Sequence, residues 1–329
     1  MINLPGQKSQ IITYLLFIIG FIILLLGSRW LIDGASSLGY RYGMPQLLIG
    51  LTIVALGTSL PELVINSFAS YYGNDGLAIG NVLGSNIINT TLIIGVSAII
   101  YPIAASDVRN MREVIICLLA TLVLAGLANF SGMMGANPGI SRFDGSILLL
   151  LLAFYLFFTF AKGGKKDIKM EAGIVPDAGV LKSMLFILLG IAGLFFGGQW
   201  ILDGAGRITR DFGISQTTVG MTLIAATTSL PELVTSIVAA TRKNTDLAIG
   251  NAIGSNLFNI LLVLGVSALI HPIPFDRELN FELLILVVAT GLVMLFIRVN
   301  IGKTTRAISS LEGILLVLFY FIFLGIIFF

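Results

Sequence analysis

Long apolar runs, each closed by a short polar break, follow one another along the whole chain. Ten are long enough to cross a bilayer, over 11–33, 45–70, 77–101, 113–130, 146–162, 182–203, 215–240, 247–270, 281–298 and 308–329. About 20 apolar residues in helical conformation match a hydrocarbon core. A backbone facing lipid must satisfy its own hydrogen bonds, so each run is expected to be a helix. The longest polar stretch, Gly163 to Gly179, carries Lys165, Lys166, Asp167, Lys169, Glu171 and Asp177. It divides the runs into two sets of five. The expected fold is an all-α polytopic membrane protein of about ten transmembrane helices, with a first unit over 1–162, a loop over 163–180 and a second unit over 181–329.

The two units are copies. Residues 20–103 align without a gap on 190–273, and about 38 of the 84 positions are identical. An internal repeat decides the architecture before other features do. Five spans is an odd number, so the second copy must enter the membrane upside down. Inverted repeats of this kind are a plan of secondary transporters, with the site near the midplane where the halves meet.

Charge adds orientation. Arg41, Arg109, Arg112, Lys162, Lys165, Lys166, Lys169, Lys182, Arg242, Lys243, Arg298, Lys303 and Arg306 fall on one side of the expected membrane; Lys8, Arg142, Arg207, Arg210 and Arg277 fall on the other. The positive-inside rule places the first group, with the 163–180 loop, in the cytoplasm and both termini outside, in a cell membrane. At 57% hydrophobic and 11% charged residues the chain departs far from a soluble domain. The net charge of +2 points to no nucleic-acid partner. The lone Cys117 excludes an intramolecular disulfide and reads as a small buried hydrophobe. The lone His271, before a proline at a span end, reads as an interfacial side chain. The first apolar run lacks a small-residue cleavage site and leads directly into the repeat, so it is expected to be a retained span. Asp33 and Asp203, each in a Trp-x-x-Asp-Gly context, read as interfacial or capping residues.

Of seventeen acidic residues, only Glu62 and Glu232 fall near the middle of an expected span. A carboxylate there costs about 2.5–3.5 kcal/mol on insertion scales and usually faces a cavity. Each follows a proline, Pro61 or Pro231, which withholds an N–H and disfavours helix at the residue before it. The break is expected to free carbonyls of the preceding turn, around Ala55 and Ala225. Thr58 shares a helix face with Glu62, and Thr228 with Glu232. In the next span Asn81, Ser85 and Asn89 form a polar stripe, repeated as Asn251, Ser255 and Asn259. Gly80 and Gly84, like Gly250 and Gly254, give the small-xxx-small spacing of closely approaching helices. Carboxylate, hydroxyl, amide and carbonyl oxygens are the ligand set of a hard cation, and calcium takes six to eight of them. No cluster of His or Cys offers a site for zinc, copper or nickel. Two ionised glutamates balance one Ca²⁺ or two Na⁺.

The doubled Thr-Ser-Leu-Pro-Glu and Gly-Asn-x-x-Gly-Ser-Asn segments resemble the alpha repeats of the cation/calcium antiporter superfamily, most closely its sodium/calcium exchanger branch of prokaryotic type. The resemblance covers nearly the whole chain. It implies antiport of Ca²⁺ against Na⁺ by alternating access, with Glu62, Glu232, Thr58 and Thr228 as shared ligands. Ser59, Ser229, Ser85, Ser255 and the carbonyls of Ala55 and Ala225 would serve flanking sodium sites. It implies no enzyme and no cofactor; the partners are the bilayer and small inorganic cations, and a monomer suffices for the site. Two positions depart from the pattern. Asn259 stands where sodium/calcium exchangers commonly carry an aspartate, which bears on stoichiometry, and Thr227 replaces a usual glycine. Proton coupling, or another cation on the same fold, remains the alternative, followed by a cation channel.

Overall fold

The computed structural model describes residues 7–73, 75–104, 108–133, 138–162, 179–211, 225–298 and 307–328. The helices are α1 (Gln7–Arg41), α2 (Gln46–Thr58), α3 (Leu60–Tyr71), α4 (Asp75–Ile100), α5 (Val108–Met133) and α6 (Arg142–Lys162) in the first half. The second half has α7 (Val180–Asp211), α8 (Ala225–Thr228), α9 (Leu230–Thr241), α10 (Thr245–Ile270), α11 (Asn280–Arg298) and α12 (Ser310–Phe328). Eight of these are long and apolar enough to cross a membrane unbroken, and α2 with α3 makes a further span bent by 45°. The start of the image of that span, before Ala225, lies outside the described residues. So does the expected 163–180 loop, except for its last two residues.

The inversion is visible in how α1 meets α7. They run antiparallel with backbones in contact: a Cβ added to Gly27 would lie 2.8 Å from the Leu194 nitrogen, and one on Gly197 would lie 2.8 Å from the Gly20 oxygen. Gly27 and Gly197 are themselves repeat images. Deeper in the bundle α10 crosses α2 as closely. A Cβ on Gly250 would stand 2.6 Å from the Leu47 carbonyl oxygen, and one on Gly254 would stand 2.8 Å from that of Leu51. The expected close approach at Gly250 and Gly254 is thereby present.

Two short β-ladders tie the halves together. β1 (Ile103–Ala104) pairs antiparallel with β4 (Ala307–Ile308), and β2 (Gly139–Ile140) pairs with β3 (Ile273–Pro274). The all-helical expectation omitted them. Their cause is local: Pro102 and Pro272 push the residues before them, Tyr101 and His271, into extended conformation. The strands that follow pair across the halves, with Ile103, Ile140, Ile273 and Ile308 all buried.

Capping fixes where α6 and α12 begin. Ser141 and Asp144 exchange backbone and side-chain hydrogen bonds, and Ser309 and Glu312 repeat the arrangement. The main apolar core gathers α4, α5, α10 and α11. Large apolar side chains such as Phe143, Leu150, Phe157, Leu188, Leu284 and Phe321 face outward, as a lipid-facing surface requires. Cys117 is buried within the core, as expected. His271 is half-exposed at the end of α10, with Nδ1 3.1 Å from Asp75 Oδ1 at the start of α4.

Candidate functional site

Proline sets the local geometry. Ser59 and Ser229 leave the helix at almost the same torsions, φ −83° with ψ near 0°, and Pro61 and Pro231 sit in the first turn of α3 and α9. The carbonyls around Ala55 and Ala225 are not stripped as the sequence suggested. Ala55 O accepts from Ser59 N at 2.9 Å and from the Thr58 hydroxyl at 3.1 Å. Ala225 O does the same with Ser229 N and Thr228. A proline withholds its N–H from the residue four back, so Gly57 and Thr227 are the positions it affects.

All fourteen residues singled out by sequence are buried: Glu62, Glu232, Thr58, Thr228, Ser59, Ser229, Asn81, Asn251, Ser85, Ser255, Asn89, Asn259, Ala55 and Ala225. The halves interlock at this point. Thr58 Oγ1 bonds Asn251 Oδ1 at 3.2 Å and lies 3.4 Å from Ser255 Oγ. Its image, Thr228 Oγ1, bonds Asn81 Oδ1 at 3.2 Å and lies 3.4 Å from Ser85 Oγ. Ser59 Oγ donates to Glu232 Oε1 at 3.1 Å.

Other oxygens have no partner among the described residues. Both carboxylate oxygens of Glu62, Oε2 of Glu232, Oγ of Ser229 and the whole amides of Asn89 and Asn259 are buried without a hydrogen bond. Asn89 and Asn259 each open a π-helical turn, Asn89–Ile93 and Asn259–Val263. Those turns pack on α9 and α3 respectively, the glutamate helices of the opposite half. Such turns recur at functional sites because they widen the helix and re-aim its side chains. No Lys, Arg or His among the described residues forms an ion pair with either glutamate. A buried carboxylate needs an opposite charge or donors, so this donor-poor oxygen cluster fits a hard cation. Among the described residues no three His, Cys, Asp or Glu come together, in keeping with a centre that has only two acidic groups.

Sequence reasoning missed Asn66 and Ser236, which are fully buried one turn beyond each glutamate. Their alignment at equal positions of the repeat was the available signal, though their differing identities concealed it.

A cavity of about 490 Å³ opens beside the site between the two halves. It is lined by Pro61, Val64 and Ile65 of α3, Phe195 and Gln199 of α7, and Thr227, Thr228 and Pro231. It runs between α3 and α7 to the edge of the site. The image surface, between α9 and α1, is filled: Leu24, Leu31, Ile32 and Ala35 pack with Leu230, Val234, Val238 and Ala239. Arg242 at the end of α9 closes it with an ion pair to Asp33. Asp33 thus pairs with Arg242 and stands apart from the oxygen cluster; the side chain of its image, Asp203, lies outside the described residues.

The family model described as sodium/calcium exchanger protein matches residues 12–161 and 182–329. The chain belongs to the sodium/calcium exchanger protein family. It is 32% identical over 315 residues to the "Putative antiporter CaxA" of Alkalimonas amylolytica, covering 94% of this chain and 96% of that one. With the "Sodium/calcium exchanger MaX1" of Methanosarcina acetivorans it shares 28% over 351 residues, covering 97% and 99%. A solved structure of the sodium-calcium exchanger NCX_Mj, soaked with Na⁺ and Ca²⁺, superposes with a TM-score of 0.79 at 32% identity, covering 96% and 98%. As a member of this family, the chain is a multi-pass membrane cation antiporter and not an enzyme.

Proposed function

We propose that this exchanger-family protein carries Ca²⁺ against Na⁺ by alternating access, through the site centred on Glu62 and Glu232. The observation that carries this reading is the crossed oxygen cluster. Two buried carboxylates lack a cationic partner among the described residues and are ringed by hydroxyls and amides from both halves. Ionised, the pair balances one Ca²⁺ or two Na⁺. Competition for that charge supports exchange, because an empty cluster of charge −2 in a low-dielectric interior is too costly to move between sides. The ligand roles of the fourteen residues belong to this proposal. The cavity beside Thr228 gives the open path, and the packed α1–α9 surface gives the closed one. With the positive-inside orientation, the open path faces outward and the 163–180 loop is cytoplasmic.

Uptake of radioactive calcium into proteoliposomes loaded with sodium tests the reading, against potassium-loaded and acid-loaded vesicles. Uptake driven only by the sodium gradient is the expected result. Uptake that follows the proton gradient instead would establish the second reading, a proton-coupled cation antiporter. Asn89 and Asn259 favour that alternative to the extent that they leave the centre without a third acidic group.

A further inference from the structure

The two threonine hydroxyls at the site stand at the ends of directed hydrogen-bond chains. In the first half, Asn66 Nδ2 donates to the Ala78 carbonyl at 3.2 Å, and Asn81 Nδ2 donates to Asn66 Oδ1 at 2.9 Å. Asn81 Oδ1 then accepts from Thr228. In the second half, Ser236 Oγ donates to the Ala248 carbonyl at 3.4 Å, and Asn251 Nδ2 donates to Ser236 Oγ at 2.9 Å. Asn251 Oδ1 accepts from Thr58. Ala78 and Ala248 are repeat images, as are Asn66 and Ser236.

Direction follows from chemistry alone. A backbone carbonyl can only accept, so Asn66 must present Nδ2 to Ala78 and Oδ1 to Asn81. Asn81 must then answer with Nδ2, which leaves Oδ1 for Thr228. Thr228 thus faces two acceptors, Asn81 Oδ1 and the Ala225 carbonyl, each at 3.2 Å, and Thr58 faces Asn251 Oδ1 and the Ala55 carbonyl; one of the two takes the single proton. A flipped Asn81 or Asn251 amide would instead set an N–H against the hydroxyl oxygen, using a lone pair that a cation needs.

We propose that Asn66 and Ser236 are positioning residues for cation binding: acting on Asn81 and Asn251, they hold an amide oxygen rather than an N–H against the Thr228 and Thr58 hydroxyls, which keeps the hydroxyl lone pairs for the ion. The proposal rests on the cation site argued above. The halves differ in one respect. Asn251 Nδ2 also donates to the Glu232 backbone carbonyl at 3.1 Å, which pins its amide a second time. Asn81 depends on Asn66 more heavily, so the two chains differ in robustness.

The test is cation binding by the purified full-length protein in detergent, read as stabilisation against heat by Ca²⁺ and separately by Na⁺, beside transport in proteoliposomes. Asn66→Ala is expected to raise the half-saturating Ca²⁺ and Na⁺ concentrations about fivefold to tenfold, the worth of one to one and a half hydrogen bonds, with little change in maximal transport rate. Asn66→Ser, which copies the other half, recovers most of the affinity, and Ser236→Ala loses less than Asn66→Ala. Added to Thr228→Val, Asn66→Ala costs nothing further, because the hydroxyl it acts on is gone. Additive losses in that cycle overturn the proposal, and so does a lower maximal rate at unchanged affinity. If Asn66→Ala does not fold, Ser236→Ala with Thr58→Val runs the same cycle in the other half. A parent protein that binds cations without exchanging them would sink the exchange reading and leave the binding test intact.

Discussion

Ser59 donates to Oε1 of Glu232 across the two halves at 3.1 Å, whereas the image pair, Ser229 and Glu62, forms no such bond. The pseudo-twofold axis is therefore broken at its centre. Glu62 presents both oxygens and Glu232 presents one.

Glu62→Gln and Glu232→Gln should each abolish calcium transport while the protein still inserts and elutes as a single species. Removing one of two uncompensated buried carboxylates should also leave the cation-free protein no less stable. Calcium uptake and thermal unfolding, measured on one preparation, check both halves of this statement. Retained uptake in either variant would rule out the paired-carboxylate site.

Asn259→Asp adds a third acidic group in a π-helical turn packed on the Glu62 helix. It is expected to change how uptake responds to an imposed membrane potential or to pH, since the loaded site would carry different charge. Identical voltage and pH responses would place this residue outside the ion path.

Gly250→Val should destabilise the fold by about 1–3 kcal/mol, because its side chain would enter the Leu47 backbone. Gly291→Ala is the control: an added Cβ there meets nothing within 4 Å, and alanine is the better helix former. Unfolding temperatures in detergent should fall for the first and hold or rise for the second.

Much of this was legible in the chain. The 170-residue offset revealed the repeat and the odd number of spans in each copy its inversion, and the glutamates stood out because a carboxylate mid-span has no cheap explanation. Asn66 and Ser236 did not stand out, since one polar residue in an apolar run says nothing about which amide it braces. The Asp33–Arg242 pair joins positions 209 residues apart, and only packing brings them together. The π-helical turns at Asn89 and Asn259 are set by the helix each lies against, which local pattern does not encode. The short strands followed from Pro102 and Pro272, a signal present in the sequence but overridden by the expectation of helix alone.

Asp33→Asn should loosen the packed surface between α1 and α9. A partly exposed pair of this kind is worth about 0.2–1 kcal/mol. In a Cys117→Ala background, Thr235→Cys reports on that surface, because Thr235 is buried with its hydroxyl unpartnered. Its modification rate by a soluble thiol reagent should rise by up to about fivefold in Asp33→Asn. An unchanged rate would mean that the pair does not hold this side shut.

The crossed hydrogen bonds of Thr58 and Thr228 and the backbone contacts of Gly250 and Gly254 have a mechanical corollary. Helices from both halves are stitched into one block at the place where the ion would sit, so prising the halves apart would dismantle the cage itself. A hinge through the pseudo-twofold axis would have to break those contacts on every cycle. α1 and α7 clasp each other along glycine-lined backbones, and α1 meets the block through apolar side chains and the Asp33–Arg242 ion pair, so movement of this pair against the block would leave the cage intact.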